Sequence, residues 1–335
     1  MQYFTGKTIL VTGATGLIGS NLIYELMKQN NVKVIALSRS EEKIKKVFSD
    51  YLDNLNFKYI AQDVSECINL ENDPIDICFH AAGSVEGKVI SNYPIDIIMP
   101  NLLGTKNCCD FLINQKKNIG KDARLVLFSS VTVYSNNTEN DIIVNESDTQ
   151  ITDYLNSPNA CYSQSKRMIE VIAQSYKKQY DLDIVISRFS TVYGSTKSIP
   201  DTAFYEFIKK AVSGKDILIN NSSMPRRDNI YIDDAVNAIM IICEKGESGE
   251  VYNVSSNGEK GNYLAVDEIA KTICDISNDL YQRDASNKIS VLFKEEPHSR
   301  KPGLSLNNKK LHSLGWELKT DFRTGILNTL KKISI

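Results

Sequence analysis

Three glycines at three-residue spacing constrain this chain more than any other feature. They lie in Val11-Thr12-Gly13-Ala14-Thr15-Gly16-Leu17-Ile18-Gly19, after an apolar β-branched stretch (7–12) and at the head of a helical pattern (18–29). A strand, a glycine turn and a helix in that order make a cradle for a pyrophosphate. Gly13 permits the tight turn, Gly16 lets the backbone approach the phosphates, and Gly19 lets the helix pack closely on the strand. Thr15, Leu17 and Ile18 stand between them and count with them as cofactor-binding candidates. A glycine triplet alone is a weak signal and also fits a purely structural turn. The flanking strand and helix favour nucleotide binding.

The end of the second strand bears on which dinucleotide is held. An acidic residue there would accept bonds from a ribose 2′-hydroxyl and repel a 2′-phosphate. This chain has Leu37-Ser38-Arg39-Ser40 instead. Arg39 can pair with a 2′-phosphate and stack on adenine, and Ser38 can donate a hydrogen bond. These residues favour NADP, with NAD as the alternative.

Beyond the cradle, short β-branched runs alternate with longer helical patterns, the signature of a parallel sheet wrapped by helices. Strands are expected over 7–12, 32–37, 57–61, 75–79, 124–129 and 183–187, and helices over 18–29, 40–51, 101–115 and 161–179. The strands are continuous apolar runs, as in a sheet covered on both faces. The fold class is therefore α/β, a Rossmann-type doubly wound parallel sheet with a smaller α/β C-terminal lobe. After Tyr193 the pattern loosens. Helices are expected over 201–213, 235–243, 266–275, 309–314 and 324–333, with extended segments over 216–220, 229–232, 250–254 and 288–293. The tracts 136–148, 221–225 and 278–287 are polar enough to be loops or turns. Residues 1–193 are expected to form the dinucleotide-binding domain, with later returns near 226–254, and 194–335 mainly the substrate lobe.

Charge and composition exclude other classes. The 335 residues carry 39 basic and 41 acidic side chains, a formal net charge of −2. That balance argues against nucleic acid or an anionic membrane as a partner held by bulk electrostatics. No run approaches the ~20 apolar residues of a membrane helix, and the first ten residues lack a leader pattern. A cytoplasmic location is the expectation. The seven cysteines include no C-x-x-C pair, and the three histidines (80, 298 and 312) are not at zinc-ligand spacing. No metal site is expected. Cys78 and Cys243 sit in apolar runs as small hydrophobes.

Tyr162-Ser163-Gln164-Ser165-Lys166 places a phenol and an ammonium one helical turn apart on one face. The ammonium is expected to lower the tyrosine pKa, making it able to exchange a proton with a sugar hydroxyl as hydride leaves or returns. The pair follows the serine-rich strand end Phe128-Ser129-Ser130-Val131-Thr132-Val133-Tyr134. Alone, Y-x-x-x-K occurs often by chance.

In order along the chain stand the cradle, Asp63-Val64, His80-Ala81-Ala82-Gly83, Asn101 to Thr105, Ser129 to Tyr134 and Tyr162 with Lys166. Then follow Arg188 to Gly194, Arg227 to Asp234, Tyr252-Asn253-Val254, Arg300 to Gly303 and Leu314-Gly315-Trp316. This ordered set resembles the extended short-chain dehydrogenase/reductases, the branch acting on nucleotide-diphosphate sugars, over nearly the whole chain. The resemblance implies that Asp63 and Val64 hold the adenine, that Ala81 and Ala82 line the cofactor groove, and that Asn101 steadies the central helix. It makes Ser130 the hydrogen-bond partner of the reacting sugar oxygen and Tyr162 the acid/base. Lys166 would bind the nicotinamide ribose and tune Tyr162. Arg227 and Arg300 match positions that grip the substrate diphosphate, with Thr132 and Ser190 also on the substrate side. The family often pairs subunits through two helices each, which leaves a homodimer open.

Departures from the family pattern narrow the chemistry. The dehydratases carry an Asp-Glu pair directly after the catalytic Ser or Thr; here Val131 and Thr132 cannot do that proton work. The decarboxylases place Glu, and the 3,5-epimerase/reductases Cys, where Thr132 stands. Chemistry at C4 remains: a 4-epimerase first, with an NADPH-dependent 4-keto-sugar reductase as the alternative. Ser190 replaces a usual Asn and Ser135 a usual Gly. A dinucleotide-binding regulator without turnover and a reductase of non-sugar carbonyls are the remaining readings; the first would be expected to lack Tyr162 or Lys166, and the second gives Arg227 and Arg300 no role.

Overall fold

The computed structural model describes residues 2–70, 73–83, 87–134, 140–148, 157, 159–220, 223–295 and 299–333. Its first half alternates β1 (Thr8–Thr12), α1 (Leu17–Leu26), β2 (Lys33–Ser38), α2 (Glu41–Val47), β3 (Phe57–Ala61) and β4 (Ile77–His80). Then come α3 (Gly87–Asn92), α4 (Ile95–Ile119), β5 (Arg124–Ser130), β6 (Ile142–Val144), α5 (Ala160–Tyr180), β7 (Asp183–Phe189) and β8 (Thr191–Tyr193). The second half holds α6 (Ala203–Val212), β9 (Ile217–Ile219), β10 (Ser223–Tyr231), α7 (Ile232–Lys245), β11 (Val251–Val254), β12 (Tyr263–Ala265) and α8 (Val266–Leu280). It ends with β13 (Val291–Phe293), β14 (Ser299–Lys301), β15 (Leu304–Leu306), α9 (Lys309–Ser313) and α10 (Phe322–Lys332).

Seven strands form one sheet in the order β11-β7-β5-β4-β1-β2-β3, every neighbouring pair parallel. The continuous apolar strands follow from double coverage. On β5, Val126 and Phe128 belong to one core with Leu22 and Ile23 of α1 and Ile239 and Ile242 of α7. Leu125 and Leu127 belong to the other, with Cys108 and Leu112 of α4 and Ile169 and Ala173 of α5. The first core continues into Tyr205, Ile273, Trp316 and Phe322 of the second half. Cys78 and Cys243 are fully buried, and the Trp316 indole donates to the Asp234 carbonyl at 3.1 Å, so all three are core.

Several expectations need correction. α4 starts at Ile95, not 101: Pro100 reads as a boundary, but buried Ile97 on the turn before it carries the helix through. The expected helix 40–51 divides into α2 and a 3-10 turn over Ser49–Tyr51. The turn expected over 221–225 is strand from Ser223 onward, because β10 is bordered by β8, β12 and β14 and side-by-side pairing overrides local polarity. The tract 136–148 contains β6, paired in parallel with β15. Asn253 joins these pieces: it accepts from Tyr134 Oη at 2.9 Å and donates to the carbonyls of Val144 and Asn307.

Candidate active site

The candidate residues of the first half collect at the carboxyl ends of the parallel strands, where open α/β sheets bind ligands. β1 ends at Thr12, and Gly13 turns the chain at φ +64°. A Cβ on Gly13 would stand 2.7 Å from the Ala81 carbonyl carbon and oxygen and from the Ala82 Cα, so the loop after β4 crosses directly over it. Gly16 caps α1 in an extended conformation without a side-chain hydrogen bond. Glycine thus leaves the first-turn N–H groups, from Leu17, Ile18 and Gly19, facing outward for an anion. A Cβ on Gly19 would run into the Gly13 carbonyl oxygen, which is the close packing that the spacing predicts.

The Thr15 and Ser38 hydroxyls meet at 2.8 Å and tie the cradle to the end of β2. Arg39, next along, is exposed. Asp63 accepts from the Ser65 N–H (2.8 Å) and hydroxyl (2.6 Å). Burial pushes its carboxyl up, but those bonds, with Arg39 nearby, outweigh it and leave the pKa below the usual value. Val64 is buried against Gly104, where any Cβ would come within 2.8 Å of Val64 Cγ1, and its carbonyl accepts from Asn107.

At the end of β4, His80 Nδ1 lies 2.7 Å from Thr12 Oγ1, and Ala82 N donates weakly to that same oxygen at 3.4 Å. This chain of contacts holds the Ala81–Ala82 loop over the cradle. Burial pushes His80 down to about 3, with Lys166 adding to the effect, so the imidazole is neutral. Asn101 donates to Ser165 Oγ at 2.9 Å, while its buried Oδ1 has no partner among the described residues. A Cβ on Gly83 would stand 2.9 Å from Asn101 Oδ1 and 3.3 Å from Lys166 Nζ. Both polar groups therefore converge on bare backbone beside the groove.

Tyr162 and Lys166 lie on α5 and are buried. Lys166 Nζ donates to the Phe128 carbonyl at 2.9 Å and lies 5.9 Å from the Tyr162 ring centroid. Burial lowers the ammonium to about 8, opposed by Glu170. The Tyr162 hydroxyl hydrogen-bonds Ser130, which lowers its pKa, but burial is the larger effect and raises it overall. The expected depression by Lys166 is thus corrected: desolvation of the phenol outweighs its neighbours. Ser130 accepts from the Thr132 N–H at 3.2 Å and hydroxyl at 3.1 Å, so Thr132 sits beside it.

The second-half candidates are more dispersed. Ser190 follows β7, whose last residue Phe189 lies in register with Ser130, and its buried hydroxyl has no partner among the described residues. Arg227 on β10 is open to solvent yet walled by enough protein to pull its pKa down. Among the described residues its guanidinium has no hydrogen-bond or ion-pair partner. The Arg300 backbone, on the neighbouring strand β14, pairs with Met224 of β10, placing both arginines in one small sheet. Ser135 lies outside the described residues. Sequence reasoning missed Glu170 and gave Arg188 a place in a motif but no role; the two form an ion pair next to Lys166 that is largely shielded from solvent. The signal was present, since Glu170 continues the four-residue spacing of Tyr162 and Lys166.

A glycine cradle at the β1 end of a parallel sheet, with Ser, Tyr and Lys gathered at the ends of β4 and β5, defines an enzyme of the extended short-chain dehydrogenase/reductase type. Residues 9–255 match the model of the NAD dependent epimerase/dehydratase family, and the chain belongs to that family. UDP-glucuronic acid decarboxylase 6 of Arabidopsis thaliana is 28% identical over 324 residues, covering 95% of this chain and 86% of that protein. dTDP-D-glucose 4,6-dehydratase of Dictyostelium discoideum is 32% identical over 283 residues, 81% of this chain and 62% of that protein's length. The solved structure of UDP-glucuronic acid 4-epimerase from Bacillus cereus, in complex with UDP-glucuronic acid and NAD, matches with a TM-score of 0.75. It is 23% identical and covers 97% of this chain and 98% of that one. These relatives are named for three activities, so family membership does not choose among them. No helix among the described residues is long and apolar enough to cross a membrane.

Proposed function

We propose that this chain is a nucleotide-diphosphate-sugar enzyme acting at C4 of the sugar, foremost an NDP-hexose 4-epimerase. The observation that carries the reading is the side-chain set around Tyr162. A buried phenol, the Ser130 hydroxyl and the Lys166 ammonium converge, while the residues directly after Ser130 are Val131 and Thr132. Neither of these can take a proton from carbon or deliver one to a departing hydroxyl. That absence is what separates this site from a dehydratase reading, although two of the relatives named above carry dehydratase or decarboxylase names.

The chain's own residues fit a dinucleotide. The cradle would be filled by a Cβ at Gly13, the α1 N-terminus carries no side-chain cap, and Asn101 Oδ1 and Lys166 face bare backbone at Gly83. Gly13 to Gly19 would hold the pyrophosphate, Asp63 and Val64 the adenine, Ala81 and Ala82 the groove wall, and Lys166 the nicotinamide ribose. Ser38 and Arg39 favour NADP, since no carboxylate stands at the end of β2 to repel a 2′-phosphate. When bound, the nicotinamide supplies the hydride acceptor and donor for C4. Tyr162 Oη, once it has given up its own proton, takes the proton of the sugar 4-hydroxyl and later returns it; Ser130 Oγ orients that oxygen. Lys166 keeps positive charge next to the phenol. Residues 194–335 supply most of the sugar-nucleotide contacts. Apolar Met99 on α4 and Met168 and Val171 on α5 are exposed on two helices packed side by side, which supports a homodimer through that face.

Arg39 also favours the second reading, a 4-keto-sugar reductase that exchanges NADPH every turnover. Incubation with UDP- and dTDP-hexoses tests both. A C4 epimer formed without net change in NAD(P)H supports the epimerase; steady NADPH consumption with a 4-keto sugar supports the reductase. An unpartnered guanidinium is poised for a diphosphate. Arg227→Ala is therefore expected to raise KM by roughly 10- to 100-fold, the equivalent of one charge-assisted hydrogen bond of about 1.5–3 kcal/mol, with little change in kcat. Steady-state kinetics check it, and an unchanged KM would favour the non-sugar reductase.

A further inference from the structure

The Glu170–Arg188 pair is buried beside the reacting residues and is not used by the chemistry above. Tyr162, Lys166 and Glu170 succeed one another by one turn on α5 and meet consecutive residues at the end of β5. Tyr162 bonds Ser130, Lys166 donates to the Phe128 carbonyl, and Glu170 Oε1 accepts from Ser129 Oγ at 2.5 Å. Arg188 stands opposite Ser129 in the β5–β7 register. Its Nε and Nη2 reach Glu170 Oε1 and Oε2 at 2.9 and 2.7 Å, and its Nη1 donates to Tyr134 Oη at 2.6 Å and to the Glu146 carbonyl at 2.9 Å. Both carboxylate oxygens are thus fixed. A buried ion pair is a poor device for stability alone, because apolar side chains of the same volume often serve as well.

We propose that Glu170, anchored by Arg188 and Ser129, is a positioning residue that keeps Lys166 a charged donor beside Tyr162. Burial pulls the Lys166 ammonium down to about 8, and Glu170 is the group that opposes this. Among the described residues, the other groups facing Lys166 carry no competing charge. His80, from β4, is neutral because burial holds it near 3. The Phe128 carbonyl, from β5, only accepts, and the Tyr162 phenol on α5 is kept protonated by burial. Asn101, from α4, brings only a neutral amide. Arg188 bonds to the carboxylate and not to Lys166.

The consequence for turnover rests on the roles assigned to Tyr162 and Lys166 above; the titration of Lys166 does not. The experiment is an NMR pH titration of lysine-labelled protein without substrate, with the Lys166 signal assigned by its loss in Lys166→Met. Glu170→Gln keeps polar partners for Ser129 and Arg188 and removes the charge. In it Lys166 is expected to lose its proton at lower pH than in the wild type. Its kcat/KM relative to wild type should then fall about fivefold between pH 6 and pH 8, as expected for a midpoint moved down by about a unit from about 8. The double variant Glu170→Gln/Arg188→Met, which leaves no buried charge unpaired, gives the same titration result if the single variant folds poorly. An unchanged Lys166 midpoint, or an activity loss equal at every pH, would overturn the proposal. If the wild type turns over no nucleotide sugar, the functional reading fails while the titration still decides the role of Glu170.

Discussion

Tyr162→Phe is expected to lower kcat by about 10²- to 10⁴-fold, the usual worth of a positioned acid/base, with little change in Tm. The ring stays in its buried site on α5, and Ser130 keeps its bonds from Thr132 when the phenol oxygen is removed. What disappears is the phenol hydroxyl beside Ser130 that, on the proposed reading, exchanges a proton with the sugar 4-oxygen. Because burial raises the Tyr162 pKa in the free chain, the phenol enters the reaction protonated. The 4-keto-sugar reductase direction, which needs a proton donor, is then served directly. In the alcohol-oxidising direction Tyr162 must give up its own proton before it accepts another, so activity there should rise with pH until Lys166 loses its charge near 8. Kinetics beside a melting curve separate the cases. A variant within a few-fold of wild type would remove Tyr162 from the mechanism.

Gly13→Ala is expected to abolish tight dinucleotide binding. Two penalties add at this position. At φ +64° a side chain costs about 1–3 kcal/mol in backbone strain, and the new Cβ meets three backbone atoms of Ala81 and Ala82 at 2.7 Å. That loop has no easy retreat, since Ala81 N bonds the Thr12 carbonyl at 3.3 Å and Ala82 N reaches Thr12 Oγ1. Gly120→Ala is the matched control. Gly120 has φ +69° at the end of α4, and nothing lies within 4 Å of its added Cβ. It should lose the strain alone, about 1–2 kcal/mol, and bind NADP as the wild type does. Titration of both variants with NADP and NAD, with melting curves, measures the difference. Equal binding by Gly13→Ala and wild type would contradict the cradle.

The parts of this molecule written in local pattern were legible in its sequence. The 57–61 strand matches residue for residue, and the Tyr162–Lys166 helix matches within a residue at either end, because apolar runs and four-residue spacing are local properties. Pairing was not legible. β10 begins in a polar stretch and is a strand because three others border it, and β6 lies within a tract polar enough to be a loop. Charge placement was legible only by residue type. Arg227 and Arg188 look alike in the sequence; one stands in the open without a partner among the described residues and the other is locked on Glu170. The direction of the Tyr162 shift was misread for the same reason, since desolvation depends on neighbours from β5 that no spacing on α5 reveals.

The central claim is that hydride and proton both move at C4 and that no proton moves at C5. A nucleotide hexose carrying deuterium at C4 tests this directly, with the product read by NMR. The account predicts a C4 epimer that keeps its deuterium at C4 and has none at C6. Deuterium at C6 of a 4-keto-6-deoxy product would show a dehydratase and contradict the reading drawn from Val131 and Thr132.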